Sequence, residues 1–117
     1  MAQESIVLLK NAKNTLPLSK NIKSIAVVGP YADEVSVLLG NYNGDPTNPV
    51  TILQGIRKHA GKSLRVNYAI GVDQPEKLAQ DSTRAKLQPG LETEALTIAS
   101  KSDVIVFVGG ISPVLQL

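Results

Sequence analysis

The chain has 117 residues, twelve Lys and Arg against ten Asp and Glu for a formal charge of +2, and 43% apolar side chains, a globular balance that excludes intrinsic disorder. With no cysteine and a single histidine, His59, it excludes disulfides, thiolate chemistry and a multi-histidine metal site, and no cofactor is expected. Its scattered cations and four aromatic rings (Tyr31, Tyr42, Tyr68 and Phe107) argue against a nucleic-acid partner, and its longest apolar stretch, 104–111, is too short for a bilayer.

The chain opens without a basic segment leading into an apolar core, so no signal peptide is expected. Residues 5–10, Ser-Ile-Val-Leu-Leu-Lys, are apolar and lead into a polar turn at 11–14 and then Leu16-Pro17-Leu18. That pattern predicts a β-hairpin or an added edge strand. Residues 24–29, Ser-Ile-Ala-Val-Val-Gly, are almost continuously apolar, which suits a strand covered on both faces. A short helical turn is expected between Asp33 and Gly40, burying Val35, Leu38 and Leu39.

Thr51 and Gln54 have the spacing of a capping box. Ile52, Leu53, Ile56 and Ala60 then recur at helical spacing, and Gly61 suits a positive-φ stop. Residues 64–70 alternate Leu64, Val66, Tyr68 and Ile70 with Arg65, Asn67 and Ala69, a half-buried strand near an edge. The polar stretch 73–90 reads as a surface excursion with a helical turn near 76–80. Leu91, Ala95, Ile98 and Ala99 mark a second helix, with Glu92 and Glu94 near its positive end. Residues 103–109 form a third, almost continuously apolar strand, which likewise suits cover on both faces.

Strand, helix, strand, helix, strand implies right-handed crossovers and a mostly parallel sheet. The fold class is therefore α/β, a Rossmann-like or flavodoxin-like layered fold, with strand order 64–70, 24–29, 103–109.

Gly29-Pro30-Tyr31-Ala32 leaves the first strand where a dinucleotide fingerprint would stand, but only the first glycine is present and Pro30 removes a donor. It reads as a tight strand exit. Gly40-Asn41-Tyr42-Asn43-Gly44 is a polar loop on the carboxyl side of the sheet. Tyr42 between Asn41 and Asn43 can stack on a sugar face while the amides bond hydroxyls, or it can cover local apolar surface. Gly109-Gly110 permits a close approach or simply ends the strand. His59 reads as a surface or boundary residue, and no close carboxylate pair stands at a strand end.

Residues 4–11, Leu16-Pro17-Leu18 and 24–30, Ser-Ile-Ala-Val-Val-Gly-Pro, together resemble the start of the C-terminal α/β sandwich domain of family 3 glycoside hydrolases. Residues 38–44 and 108–113 look like its bacterial β-xylosidase and β-glucosidase branch. The resemblance runs through nearly the whole chain and identifies 1–117 as part of an (α/β)6 sandwich domain whose N-terminal barrel is absent.

It implies a fragment of an exo-acting retaining β-glycosidase, inactive alone, whose substrate is a β-linked oligosaccharide or glycoside. The aspartate nucleophile belongs to the barrel, and the glutamate acid/base is expected at or beyond Gln116, so this chain holds no catalytic residue. Double displacement needs two carboxyl groups about 5–5.5 Å apart. Tyr42 stands where relatives place an aromatic on the aglycone side of the pocket, with Asn41 and Asn43 as flanking sugar contacts. Family resemblance also implies a periplasmic or secreted protein, and the missing strands beyond Leu117 imply self-association of the fragment. The competing reading is a free-standing carbohydrate- or nucleotide-binding α/β module.

Overall fold

A computed structural model describes residues 2–39, 44 and 46–112. In chain order its elements are α1 (Ala2–Ser5), β1 (Ser24–Val28), α2 (Ile52–Ala60), β2 (Arg65–Ala69), α3 (Pro75–Gln80), α4 (Gln88–Ala99) and β3 (Val104–Phe107), with 3-10 turns at Ala12–Asn14, Ser36–Leu38 and Ser82–Leu87. The three strands form one parallel sheet in the order β2-β1-β3. Ser24 faces Arg65 and Val28 faces Ala69 on one side of β1. Ile25 faces Val104 and Val28 faces Phe107 on the other. The expected α/β class and strand order are both present.

Side chains alternate across a strand, and this explains the continuous apolar run of β1. Ile25 and Val27 point to one face, where they meet Tyr31, Ala32, Leu53 and Val108, with Ile56, Val66, Tyr68, Val104 and Val106 around them. Ala26 and Val28 point to the other, where they meet Ala69 and Ala95, with Ile98 alongside. Helices α2 and α4 therefore lie on opposite faces, as crossovers running to opposite sides of β1 require. Small residues at Ala26, Ala69 and Ala95 bring α4 close. Gly71 serves the same approach, since a Cβ there would stand 2.8 Å from a Val28 methyl.

Local signals were obeyed at α2. Thr51 Oγ1 accepts from Gln54 N at 3.2 Å, and Gln54 Oε1 accepts from Thr51 N at 3.2 Å, which completes the capping box. The helix stops at Gly61, whose φ of +62° disfavours a residue with a Cβ. Leu53 is buried and Ile56 half-buried, but Ile52 is exposed.

Several expectations are corrected. Residues 2–23 contain no strand: α1, an extended stretch and a 3-10 turn replace the hairpin. The Asn11 amide donates to Leu16 O at 2.8 Å and its Oδ1 accepts from Leu16 N at 2.9 Å, so a side chain takes the backbone groups a ladder would use. Ile6, Val7, Leu8 and Leu9 remain exposed. The turn after Asp33 is helical only at Ser36–Leu38, where Val35 and Leu38 are exposed rather than buried and Leu39 is half-buried.

Helix α4 begins at Gln88, ahead of the expected start, with Pro89 in its first turn, where a missing N–H costs nothing. Finally, among the described residues β3 is covered on one face only, where cover on both was expected. Val104 and Val106 are half-buried on the α2 side, while Ile105 and Phe107 are 57% and 65% exposed on the α4 side. Apolar continuity alone could not distinguish a strand covered on both faces from one covered on a single face.

Candidate functional site

In an open parallel sheet, ligands and catalytic loops gather outside the carboxyl ends of the strands, at the point where the strand order reverses. Here that point lies between β1 and β3. The β1 exit is Gly29-Pro30-Tyr31 and the β3 exit is Val108 to Ser112. The two exits touch through backbone. A Cβ on Gly29 would stand 2.1 Å from Val108 O, and Gly29 itself holds φ +136°. Val108 N donates to Val28 O at 2.7 Å. The lone glycine of the motif thus serves an approach of protein backbone, where the dinucleotide fingerprint would use one for a pyrophosphate.

Tyr31 fills the crevice. It is 5% exposed, its ring belongs to the α2-side core, and its hydroxyl donates to Glu76 Oε2 at 2.9 Å. Burial raises the phenol above its ordinary pKa, Glu76 adds to the rise, and Ser112 partly opposes it from the β3 exit. Ser112 is 3% exposed, and its Oγ, although beside the phenol, makes no hydrogen bond of good geometry among the described residues.

The β2 exit joins the same cluster. Asp73 and Gln74 are buried, which corrects the view of 73–90 as wholly surface. The Gln74 amide donates to Pro30 O at 3.1 Å and to Glu34 Oε2 at 2.8 Å. Asp73 Oδ2 accepts from Arg84 Nε and pairs with its guanidinium. Asp73 Oδ1 accepts from Gln74 N at 2.9 Å.

The Arg84 hydrogen bond holds the Asp73 carboxyl below its usual range despite burial. Hydrogen bonds from Gln74 and Ser36 do the same for Glu34, with Lys77 at 3.9 Å adding its charge. Asp103, at the amino end of β3, is lowered by the Lys23 N–H and by Ser24. A general acid at neutral pH needs a raised carboxyl pKa. Each described carboxylate with a displaced pKa (Glu34, Asp73, Asp81 and Asp103) is displaced downward, so none of these four is tuned to donate a proton.

The expected sugar contacts Asn41, Tyr42 and Asn43, and Gln116, lie outside the described residues. The anchors of the loop carrying the first three are described. Thr51 Oγ1 donates to Asp33 Oδ1 at 2.7 Å, and Leu53 N donates to Ala32 O at 2.9 Å. Both ends of the 33–51 segment are therefore pinned at the carboxyl end of β1. His59 is exposed and borders a groove of about 560 Å³ with Leu18, Ile22, Ile56 and Leu64, toward the amino ends of the strands. It has no part in the carboxyl-end cluster.

Sequence reasoning missed Tyr31, Glu34, Asp73, Gln74, Glu76 and Arg84. One signal pointed to them: polar residues follow each strand-ending glycine closely, at Tyr31 after Gly29 and at Asp73 and Gln74 after Gly71.

Residues 6–116 match the glycosyl hydrolase family 3 C-terminal domain. The chain is 44% identical over 115 residues to an exo-1,4-β-xylosidase, xlnD, of Emericella nidulans, covering 98% of this chain and 13% of that protein. It is 40% identical over 119 residues to a β-xylosidase of Formosa agariphila, covering 96% and 15%. Among solved structures it resembles a GH3 exo-β-xylosidase (XlnD) in complex with a xylobiose aziridine activity-based probe, with a TM-score of 0.79, 40% identity, and coverage of 98% and 13%. The chain thus spans between 13% and 15% of the length of these relatives.

Proposed function

Since this chain belongs to the glycosyl hydrolase family 3 C-terminal domain family, we propose that it is part of the sandwich domain of an exo-acting retaining β-xylosidase. The observation that supports this most is the likeness to xylosidases along 98% of the chain, in sequence and in fold. It favours xylosidase over glucosidase action, which the residues alone left open.

The division of labour follows from the chemistry. Retaining hydrolysis needs a carboxylate to attack the anomeric carbon and a carboxyl group to protonate the leaving oxygen. Glu34, Asp73, Asp81 and Asp103 are held below the ordinary carboxylate range by their partners and are not suited to proton donation; following the family resemblance, we assign the nucleophile to a barrel and the acid/base to the chain that follows β3. The ends of the 33–51 segment meet at Asp33 and Thr51, and following the family resemblance we assign Tyr42, with Asn41 and Asn43, to the aglycone side. Among the described residues the crevice between Gly29 and Val108 is filled by Tyr31, which weighs against the nucleotide-binding form of the free-standing module.

The test is to express the whole protein and this 117-residue chain side by side and assay both on xylobiose and on 4-nitrophenyl β-xyloside and β-glucoside. The whole protein is expected to prefer the xylosides, and the short chain to turn over none of the three. Preference for the glucoside would refute the assigned sugar. Turnover by the purified short chain would refute the assignment of both carboxyl groups to other parts of the protein.

A further inference from the structure

Tyr31 joins all three strand exits. It belongs to the β1 exit, its hydroxyl donates at 2.9 Å to Glu76 on α3 beyond β2, and it lies beside Ser112 on the β3 exit. Its ring is buried in the α2-side core with Ile25, Val27, Leu53 and Val108, which limits the freedom of the hydroxyl. Glu76 is half-buried on a helix whose preceding residues, Asp73 and Gln74, are fixed by Arg84, Pro30 O and Glu34. A buried ring, an acceptor on a helix whose preceding residues are held by their own partners, and a buried serine whose Oγ has no hydrogen bond among the described residues together make one stop beside the β3 exit.

A core tyrosine could fill this space as phenylalanine. The hydroxyl requires a further reason, because burying it costs free energy unless it is bonded. It is bonded to a carboxyl oxygen of Glu76 on a different exit, 2.9 Å away, and a short hydrogen bond of that kind is directional. That is the arrangement expected where a short segment must be held in one place relative to two others.

We propose that Tyr31 and Glu76 act as a positioning pair for the segment leaving β3 at Ser112, and thereby for the acid/base glutamate that this segment delivers. This rests on the functional reading above. Neither residue touches the sugar. The pair acts by fixing where the glutamate stands, and misplacing a proton donor by a fraction of an ångström to 1 Å lowers the rate of the step it assists.

The consequence is selective. Departure of a sugar leaving group needs its oxygen protonated, whereas dinitrophenolate leaves without help. The ratio kcat/KM reports the first irreversible step, here formation of the glycosyl-enzyme. A looser acid therefore depresses kcat/KM for xylobiose and spares that for 2,4-dinitrophenyl β-xyloside. A lesion that merely weakened folding would lower both in proportion to the active fraction.

The experiment uses the whole enzyme and the variants Tyr31→Phe, Glu76→Ala and Glu76→Gln, with melting temperature recorded for each. Tyr31→Phe and Glu76→Ala are expected to lower kcat/KM on xylobiose about tenfold while changing that on the dinitrophenyl xyloside by less than about twofold. Glu76→Gln keeps an oxygen that accepts the phenol proton, so it is expected to stay within about threefold of the parent on both. If Tyr31→Phe does not fold, Glu76→Ala decides by the same ratio, since it removes only a half-buried helix side chain. Equal falls on the two substrates, or no fall on either, overturn the positioning role and leave the functional reading standing. A parent enzyme that hydrolyses neither xyloside overturns the functional reading, and the positioning role with it.

Discussion

Gly29→Ala is the substitution whose cost is read most directly from the structure. The new Cβ would stand 2.1, 2.7 and 2.8 Å from the O, C and N of Val108, where ordinary contact begins at 3.4 Å. These are backbone atoms, so no rotamer change relieves the clash, and the β3 exit has to retreat by about 1 Å. That retreat removes the 2.7 Å hydrogen bond from Val108 N to Val28 O, at about 1 kcal/mol. The φ of +136° adds about 1–3 kcal/mol for a residue with a Cβ.

The sum, about 3 kcal/mol, is a large part of the 5–15 kcal/mol by which domains are typically stable. Gly61→Ala is the control. It has a positive φ of +62° but nothing within 4 Å of the new Cβ, so it carries the dihedral cost alone. Hydrogen exchange in the whole protein reads the local opening free energy. At about 1.4 kcal/mol per tenfold, amides of β1 and the β3 exit should exchange roughly a hundredfold faster in Gly29→Ala, with a smaller effect confined to the end of α2 in Gly61→Ala. Equal effects from the two variants would refute the idea that backbone contact, rather than dihedral preference, requires Gly29.

The lowered pKa values of Asp73, Glu34 and Asp103 mean that the unfolded chain binds more protons near their ordinary values of 3.8, 4.5 and 3.8. Their stabilisation is complete above those values and lost as pH falls through the lower, folded ones; Arg84→Gln should shrink this acid sensitivity, and an unchanged pH–stability curve would argue against it. The open β3 edge, with Ile105 and Phe107 exposed, should make the isolated chain associate as its concentration rises, and the double change Ile105→Thr and Phe107→Thr should reduce that association. A parent chain that stays monomeric in sedimentation at high concentration would count against it. In the whole enzyme Tyr42→Ala should weaken aglycone-side binding by about 1 kcal/mol while barely moving the melting temperature. Unchanged kinetics on xylobiose with a clear loss of thermal stability would instead make Tyr42 a packing residue.

Much of the fold was legible because its determinants are local. Thr51 and Gln54 satisfy the first N–H groups of α2 from within their own turn, and the alternation of Leu64, Val66 and Tyr68 marks a half-covered strand with no knowledge of its neighbours. Strand order followed from connection handedness, a property of chain twist that depends on no particular contact. The N-terminal apolar run misled because a strand needs a partner edge, and whether Ile6 to Leu9 find one is not written in those residues.

The carboxyl-end cluster was not legible, because its partners meet only after folding. Asp73 finds Arg84 across α3, and Tyr31 finds Glu76 from 45 residues away. The composition by itself determined a cysteine-free α/β chain without thiol or multi-histidine chemistry, and its run of motifs determined the family resemblance. Only tertiary structure decided that the crevice between β1 and β3 is filled by Tyr31 and closed by Gly29 against Val108. The physical reason is one of range: capping and periodicity act over a few residues, whereas a backbone approach of 2–3 Å is set by how the sheet brings together strands that lie far apart in the chain.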